Sequence, residues 1–403
     1  MMNRDQKQYS RGEVLAPPTE RYTILGWLHK NLFSTWYYTL LTLFTAYLLY
    51  IILKPTLAWV LHQAQWQVIV VNMRLFMVGQ YPADQLFRIW AALHLLAFTA
   101  GLAWAIWLPK ERRIGLFLLL IPLALAALPF IGPTARINWA LFALVALIGW
   151  ALGIWQPKKM RRPLIFLLLA YFPILILLIS GIEPLLKLVK TNYWGGLLLT
   201  MLLAVVGIVV SFPLGVLLAL GRQSKLPIVH LFSVLYIELI RGVPLVTILF
   251  MAQIMLPLFL PPGLKIDNVL RAMAGIIIFA AAYMAENVRG GLQAIPKGQH
   301  EAAWALGLNG FQTMLFIILP QALRNVIPVI VGQFIALFKD TSLVAIVGLL
   351  DLLGIASTVL AQPEFIGRQR EVYLFIALIY WVFSYAMSYA SRRLELALGV
   401  GER

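Results

Sequence analysis

The hydrophobic pattern along the chain consists of long apolar runs separated by short loops that carry charged, proline and glycine residues. A helix of about 20 apolar residues crosses the ~30 Å hydrocarbon core of a bilayer, and most of the runs approach that length. The alternation over ~10 residues that a membrane β-barrel needs is not seen. The pattern therefore predicts an all-α integral membrane protein with about ten transmembrane helices. The candidate spans lie near residues 36–53, 86–108, 114–131, 137–155, 164–182, 194–220, 228–260, 269–288, 311–338 and 372–390.

The two halves of the chain differ in where their polar residues lie. Residues 36–189 are plain apolar runs, apart from residues 58–88, which we interpret as an external loop with an interfacial helix. From residue 190 to 395, polar and helix-breaking residues enter the spans themselves. Polar groups inside a membrane are costly and mark functional sites. We therefore expect an accessory transmembrane region of about five helices over 36–189 and a functional core over 190–395.

The charged residues set the expected orientation. The formal net charge is +16, but the Lys and Arg side chains lie in short loops between apolar runs, which argues against a nucleic-acid-binding face. With ten spans, the positive-inside rule places both termini in the cytoplasm, residues 1–35 as a leading segment and 396–403 as a tail. The cytoplasmic loops then contain Lys110, Arg112, Arg113, Lys158, Lys159, Arg161, Arg162, Arg222, Lys225, Arg289 and Lys297.

A short polar stretch, QHEAAWALGLNGFQTMLFIILP at residues 299–320, interrupts the apolar pattern on the expected cytoplasmic side. Pro296 suits the first position of a helix because it has no N–H to lose, and Gly307 suits the left-handed C-terminal cap. These limits predict a helix over residues 296–308, ~15 Å long, with a surface of alanines. Physical reasoning leaves two interpretations open: a helix that docks in the groove of a partner, or an ordinary loop between membrane helices.

The same stretch resembles the EAA motif of membrane subunits of binding-protein-dependent ABC importers. That motif is EAA, three residues, Gly, nine residues and then Ile-x-Leu-Pro, and this chain matches it without deviation. In the family, this segment is the coupling helix that docks into the ATPase subunit, so the resemblance implies that role here. The matching residues are Glu301, Ala302, Ala303, Gly307, Ile317, Leu319 and Pro320.

Three further stretches resemble permeases of the polar amino acid uptake subgroup: IRGVPLVTILF at 240–250, AAYMAENVRGGLQAIPKGQ at 281–299 and FKDTSLVAIVGLLDLL at 338–353. The resemblance covers roughly residues 190–395 and implies a type I importer core of about five helices. The long N-terminal half is similar to one permease of general L-amino-acid transporters. The implied function is ATP-driven import of L-amino acids across the bacterial inner membrane.

The resemblance also implies the partners. They are a second, related permease, a separate ABC ATPase that holds ATP and Mg, and a periplasmic amino-acid-binding protein, with membrane lipid around the spans. No cofactor is expected on this chain, because the P-loop pattern needs a Gly-Lys pair and the sequence has none.

Candidate residues for a substrate pathway begin at a break in one span. Gly242 and Pro244 weaken the helix around them, so the span near 228–260 should be kinked or broken. Arg241 beside the break is expected either to receive a substrate carboxylate or to cap carbonyls and snorkel. Glu286 has two interpretations, an ion pair with Arg289 at i,i+3 or a contact with substrate, and the ion pair is favoured.

Four polar residues after the next long span are the other pathway candidates. They supply a cation, an acid and two hydroxyls, which are the groups that bind an amino acid. Such groups between apolar segments are costly unless they line a polar cavity or face water. The pathway and a solvated external turn therefore both stay open as interpretations. The four residues are Lys339, Asp340, Thr341 and Ser342.

Composition and spacing exclude several other functions. The sequence has no cysteine, which excludes disulfides, thiolate metal sites and cysteine nucleophiles, and no histidine has a metal-binding spacing. A secondary transporter or channel is the main alternative, but it predicts intramembrane carboxylates paired across an inverted repeat, whereas the two halves are unlike. A membrane-embedded enzyme needs a convergent set of catalytic side chains in the spans, and none is present.

Overall fold

The computed structural model describes residues 24–108, 112–128, 131–261 and 263–399. These residues are mainly helical, and the one β pairing among them is an isolated bridge between Gly196 and Asp351. The all-α fold class is therefore confirmed. The chain divides into two compact units, residues 1–65 and residues 66–403. The expected cytoplasmic ends lie partly outside the described residues, since 1–23 and 400–403 are not among them.

The first unit contains two helices and a π-helical turn. These are α1 (Ile24–Leu32), α2 (Trp36–Ala58) and the turn Trp59–Gln63. Thr35 precedes α2 in an extended conformation, and its Oγ1 accepts a hydrogen bond from the backbone N–H of Tyr38, which starts the helix there. Because α2 and its π-helical turn are long and apolar enough to cross a membrane, they account for the first predicted span.

The second unit contains all the other helices. Its N-terminal part comprises α3 (Gln67–Val78), α4 (Leu86–Trp107), α5 (Arg112–Ala127), α6 (Pro133–Trp155) and α7 (Pro157–Ser180). Its C-terminal part comprises α8 (Gly196–Arg222), α9 (Pro227–Arg241), α10 (Leu245–Phe250), α11 (Leu256–Phe259), α12 (Asn268–Gln293), α13 (Lys297–Ala305), α14 (Gly310–Gln312), α15 (Leu319–Asp340), α16 (Leu352–Leu360) and α17 (Gln369–Leu398).

The number of membrane helices agrees with the prediction of about ten. Among the described residues, eight helices are long and apolar enough to span a bilayer, or nine if α9 to α11 form one bent span. α5 has 16 residues, shorter than the other spans, and its predicted run reaches residues 129 and 130, which lie outside the described part. The C-terminal part supplies four of the eight, α8, α12, α14 to α15, and α17, and the bent pair α9 to α11 brings the number to the predicted five if it counts as one span.

The span predicted over 228–260 is not one continuous helix. α9 meets α10 and α11 at an angle of 104°, and the bend falls at the predicted break between Arg241 and Leu245. Large apolar side chains are exposed on α9 at intervals of three to four residues, so α9 is an amphipathic helix and not the first half of a straight span. They are Ile228, Leu231, Leu235 and Leu239.

α12 is the central helix of the C-terminal part. Over its apolar window, 61% of the residues are buried, the largest share among the candidate spans. α8 approaches it through small residues: a Cβ atom added at Gly215 would lie 2.5 Å from the Cβ of Met284, closer than real contacts allow. Glycine is therefore required where α8 crosses α12.

α3 lies within residues 58–88, the segment that we interpreted as an external loop with an interfacial helix. A helix does form there, but its residues Val68, Ile69 and Phe76 are buried in one cluster with residues of α16 and α17. The Phe76 ring lies 5.4 Å from that of Phe375, centroid to centroid. Asn72 is buried too, and its side-chain amide donates to the Val68 carbonyl at 3.0 Å. Residues of the accessory region thus form part of the packing around the core.

Candidate functional site

The predicted short helix is present as α13, and its ends follow the chemistry of its caps. Pro296 precedes it in an extended conformation. After its last residue, Gly307 has a φ of +76°, and its N–H donates to the Trp304 carbonyl at 2.9 Å, while the N–H of Leu308 donates to the Ala303 carbonyl at 3.1 Å. These paired bonds close the helix in the way glycine favours.

α13 presents most of its surface to the outside. Ala303 is its one fully buried residue, whereas Glu301 and Ala302 are exposed. Next to them lies an apolar surface that sequence reasoning did not single out: Trp304 is 59% exposed, Leu306 80% and Phe311 74%. Exposed large apolar residues near one another indicate a contact surface for another protein.

The second half of the EAA motif joins α13 to the rest of the fold. Ile317 and Leu319 pack against a buried cluster that includes Ile318. Pro320 is the second residue of α15 and follows directly on the π-helical turn Thr313–Ile318. Gln321 donates to the Oε1 of Gln299 at 3.2 Å and so ties α15 to α13. The motif residues therefore split into an exposed helix and the base that holds it.

α8 defines two ends of the C-terminal part. It has 27 residues, which at 1.5 Å per residue gives about 40 Å. At its N-terminus the Gly196 N–H donates to the Leu350 carbonyl at 2.8 Å, and at its C-terminus Arg222 lies 3.5 Å from Glu286 on α12. α12 continues into α13 on the same side as Arg222. We call this side the coupling end and the opposite side the far end.

The break in the bent span lies at the coupling end. Arg241 Nη1 is 3.6 Å from the carboxylate of Glu286, and its guanidinium lies over the Tyr283 ring at 5.4 Å. Gly242 and Pro244 follow at once and separate α9 from α10. The break therefore lies near the end of the spans and not midway along them.

Glu286 is the centre of a charged cluster at this end. The favoured i,i+3 pair with Arg289 is present, since Arg289 Nε donates to Glu286 Oε1 at 2.9 Å. The participation of Arg222 and Arg241 was not predictable from the sequence, because they belong to other helices. Glu238 on α9 extends the cluster by accepting a hydrogen bond from Arg222 at 2.9 Å. The cluster thus connects α8, α9 and α12.

The four polar residues around the end of α15 lie at the far end. Lys339 is exposed, whereas Thr341 is fully buried and donates to the Phe338 carbonyl at 2.7 Å. Ser342 donates to the Lys339 carbonyl at 2.8 Å, so the segment ends a helix and begins a 3₁₀ turn. Leu337, just before it, lies against Gly207 of α8, whereas Met284, just before Glu286, lies against Gly215, so the segment and Glu286 are separated by more than about 12 Å along α8. The two groups of pathway candidates therefore do not form a single binding site.

A buried carboxylate at the far end was missed by sequence reasoning. Asp351 is fully buried and caps α16, accepting hydrogen bonds from the backbone N–H groups of Gly354 at 2.9 Å and Leu353 at 3.2 Å. Burial raises the pKa of Asp351 to about 6, although those N–H groups act in the opposite direction. Thr200 on α8 accepts the next N–H, from Leu352, at 3.1 Å. An Asp directly before the apolar run at 352–360 is the N-cap signal that was available.

One face of α15 is exposed along its whole length. Its exposed positions follow helical spacing, and three of them are polar or glycine although the helix belongs to a membrane span. Polar groups are costly against lipid, so this face requires water or another protein. The stripe consists of Asn325, Val329, Gly332, Ala336 and Lys339.

The described residues contain no group of three or more His, Asp or Glu placed to hold a metal ion.

Comparison with known proteins finds relatives over nearly the whole chain. Residues 211–399 match the family described as "Binding-protein-dependent transport system inner membrane component". The chain is 42% identical over 391 residues to the "Inner membrane amino-acid ABC transporter permease protein YhdY" of Escherichia coli (strain K12), and 93% of each chain is covered. It is 40% identical over 428 residues to the "Glutamate/glutamine/aspartate/asparagine transport system permease protein BztC" of Rhodobacter capsulatus, covering 97% of this chain and 98% of the relative.

Among solved structures, one described as "Crystal structure of an amino acid ABC transporter with histidines" is 31% identical with a TM-score of 0.46. It covers 50% of this chain and 92% of its own.

Proposed function

The chain belongs to the family of binding-protein-dependent transport system inner membrane components and is an amino-acid ABC transporter permease, and from that premise we propose how it works with its partners. It is a multi-pass protein of the inner membrane. In our proposal ATP hydrolysis resides on a separate ABC ATPase, which binds ATP and Mg²⁺, and this chain holds no cofactor. The lack of a Gly-Lys pair for a P-loop supports that division.

The observation that carries the proposal is the exposed, capped helix α13 at the coupling end. We assign the docking of the ATPase to Glu301, Ala302 and the neighbouring apolar surface around Trp304. Ala303 and Gly307 shape the helix, and the packed residues Ile317, Leu319 and Pro320 form its base. A short helix with an apolar surface fits a groove in a partner, so movement of the ATPase pair is passed to α12 through α13.

The exposed face of α15 supports a second permease as the other membrane partner. Asn325, Gly332 and Lys339 need water or protein beside them, and a related permease placed against this face would enclose a polar route. Lys339, Asp340, Thr341 and Ser342 then lie at the outer end of that route. Arg241, Gly242, Pro244 and Glu286 lie at its inner end. A heterodimer of two related chains fits the proposal.

The orientation follows from the charges at the coupling end. Arg222, Lys225, Arg289 and Lys297 all lie there, and the positive-inside rule assigns such an end to the cytoplasm. The far end then faces the periplasm, where a binding protein delivers the amino acid. Both termini are proposed to be cytoplasmic. The relative BztC is named for transport of glutamate, glutamine, aspartate and asparagine, which favours polar amino acids as cargo.

Proteoliposomes test the proposal. The chain is reconstituted with its companion permease, the ATPase and the binding protein, and uptake of radiolabelled L-glutamate is competed with a panel of amino acids. We expect uptake only with ATP and the binding protein together. Uptake without the ATPase, driven by an ion gradient, would mean a secondary transporter and would overturn the proposal.

A matched pair of variants tests the docking surface. Trp304→Ala removes an exposed aromatic anchor from α13, and truncation of such anchors costs about 2 kcal/mol, or roughly 30-fold in affinity. Trp155→Ala removes a tryptophan of similar exposure, 75%, at the end of α6. We expect only Trp304→Ala to weaken co-purification of the ATPase. Equal retention of the ATPase by both variants would show that α13 does not carry the contact.

A further inference from the structure

Glu286 has more cationic neighbours than a carboxylate in an ordinary surface ion pair. Three arginines from three helices surround its carboxylate: Arg222 from α8, Arg241 from α9 and Arg289 from α12 itself. Its side chain is only 21% exposed. One acidic side chain therefore interacts with the ends of three separate helices.

The two oxygens of Glu286 are used differently. Oε1 accepts hydrogen bonds from Arg289, its own neighbour on α12. Oε2 is buried and has no hydrogen-bond partner among the described residues, and it lies 3.5 Å from Arg222 and 3.6 Å from Arg241. These distances are longer than hydrogen bonds but short for charges, so Oε2 attracts both cations without being fixed to either.

Arg241 has a second contact with α12 besides the one with Glu286. Its guanidinium lies over the Tyr283 ring, which is on α12 one turn before Glu286. Its Nε is buried without a hydrogen-bond partner among the described residues. Arg241 is the last residue of α9, directly before the bend of 104°. The end of α9, and with it the start of α10, is therefore positioned by α12 through charge and ring contact.

α12 is also the helix that carries α13. Three residues, 294–296, separate the end of α12 from α13, so displacement of α13 acts on α12 first. We propose that Glu286 is the positioning residue through which movement of α13 is transmitted to the break between α9 and α10. This inference rests on the proposed function, in which a partner ATPase moves α13.

The geometry favours this role over direct binding of substrate. A substrate carboxylate at Arg241 would compete with Glu286, and a substrate ammonium at Glu286 would meet three guanidinium groups. By contrast, weak attraction over 3.5 Å and 3.6 Å to two helices changes readily when one helix shifts. Breaking and remaking these contacts is the kind of two-state change that transmits motion.

The experiment measures coupling in the complete transporter in proteoliposomes. Uptake of labelled amino acid and ATP hydrolysis are recorded together, and their ratio is compared for wild type, Glu286→Gln, Arg241→Gln and the double variant. Glu364→Gln, which neutralises an exposed carboxylate between α16 and α17, is the control. Co-purification of the ATPase is measured for each.

We expect each single variant to lower the ratio of uptake to hydrolysis about tenfold, within the roughly 5- to 150-fold range of coupling effects, while the ATPase stays bound. The double variant should be no lower than the worse single variant, because each single variant already removes the contact between Glu286 and Arg241 on which the transmission depends. Glu364→Gln should match wild type.

Several results would overturn the inference. The first is a wild-type ratio of uptake to hydrolysis in Glu286→Gln. The second is a double variant in which the two losses multiply, lowering that ratio about 100-fold. If Glu286→Gln does not assemble, Arg241→Gln decides alone, since it leaves the pair between Glu286 and Arg289 in place, and a normal ratio there refutes the relay. Failure of the wild-type complex to use ATP for uptake refutes the proposed function instead.

Discussion

Replacing Asp351 by asparagine removes a charge that the fold buries, and it keeps a side-chain oxygen in place to cap α16. The carboxylate accepts hydrogen bonds from two backbone N–H groups, but it has no exposed surface. Burial raises the pKa of Asp351 from 3.8 to about 6. The folded protein therefore holds this proton more tightly than the unfolded chain does.

The sign and size of the effect follow from that difference. Because the folded-state pKa lies above the unfolded value, Asp351 costs no stability well below pH 3.8, the cost grows between pH 3.8 and about 6, and it is constant at higher pH. About two pKa units at ~1.4 kcal/mol each give a cost of about 3 kcal/mol at pH 8, and about half of it at pH 5. Asparagine has no such dependence. The Asp351→Asn variant loses about 1 kcal/mol of stability because one backbone N–H loses its acceptor.

Thermal unfolding of the detergent-purified chain at pH 5 and pH 8 measures the effect. We expect the stability of Asp351→Asn relative to wild type to increase by about 1.5 kcal/mol between pH 5 and pH 8. Glu364→Gln, which removes an exposed carboxylate, should show no such change. If Asp351→Asn instead loses stability relative to wild type as the pH rises, the charged carboxylate stabilises α16, and the reasoning from burial is wrong.

Two further variants test the coupling helix and the packing of the accessory region. Gly307→Ala puts a side chain at a position where φ is +76°, which costs about 1–2 kcal/mol, so ATPase-coupled uptake should fall. Its control is Gly132→Ala, which should behave as wild type because Gly132 has a φ of −62° and no atom within 4 Å of an added Cβ. Phe76→Ala empties a fully buried position and should lower the unfolding free energy by about 3–5 kcal/mol, measured as a lower unfolding temperature. Val71→Ala, on the exposed side of the same helix, should change it little. Normal uptake by Gly307→Ala, or equal unfolding temperatures for Phe76→Ala and Val71→Ala, would contradict these expectations.

Features that depend on neighbouring residues were predictable from the sequence. Pro296 and Gly307 set the limits of α13 by their own backbone chemistry, and Gly242 with Pro244 predicted the break after α9. The pair of Glu286 with Arg289 follows from their spacing on one helix. In each case the cause lies within a few residues, which a sequence pattern records directly.

Features that depend on distant contacts were not predictable. The burial of α3 requires α16 and α17, which lie almost 300 residues further along the chain. The position of the break at the coupling end depends on Arg222, which comes from α8. The buried state of Asp351 likewise depends on packing around α16. A single sequence does not specify such pairings.

The packing of α3 has a consequence for how the protein is made. About 300 residues of chain separate Phe76 from Phe375, and ribosomes add roughly 5–20 residues per second. During synthesis the part of α3 that packs on α16 and α17 therefore stays uncovered for tens of seconds, until those helices are made. The insertion machinery or the lipid must cover this apolar surface during that time. A truncated chain that stops after residue 350 would keep this surface exposed, and the cell's chaperones and proteases would act on it as on an incompletely folded protein.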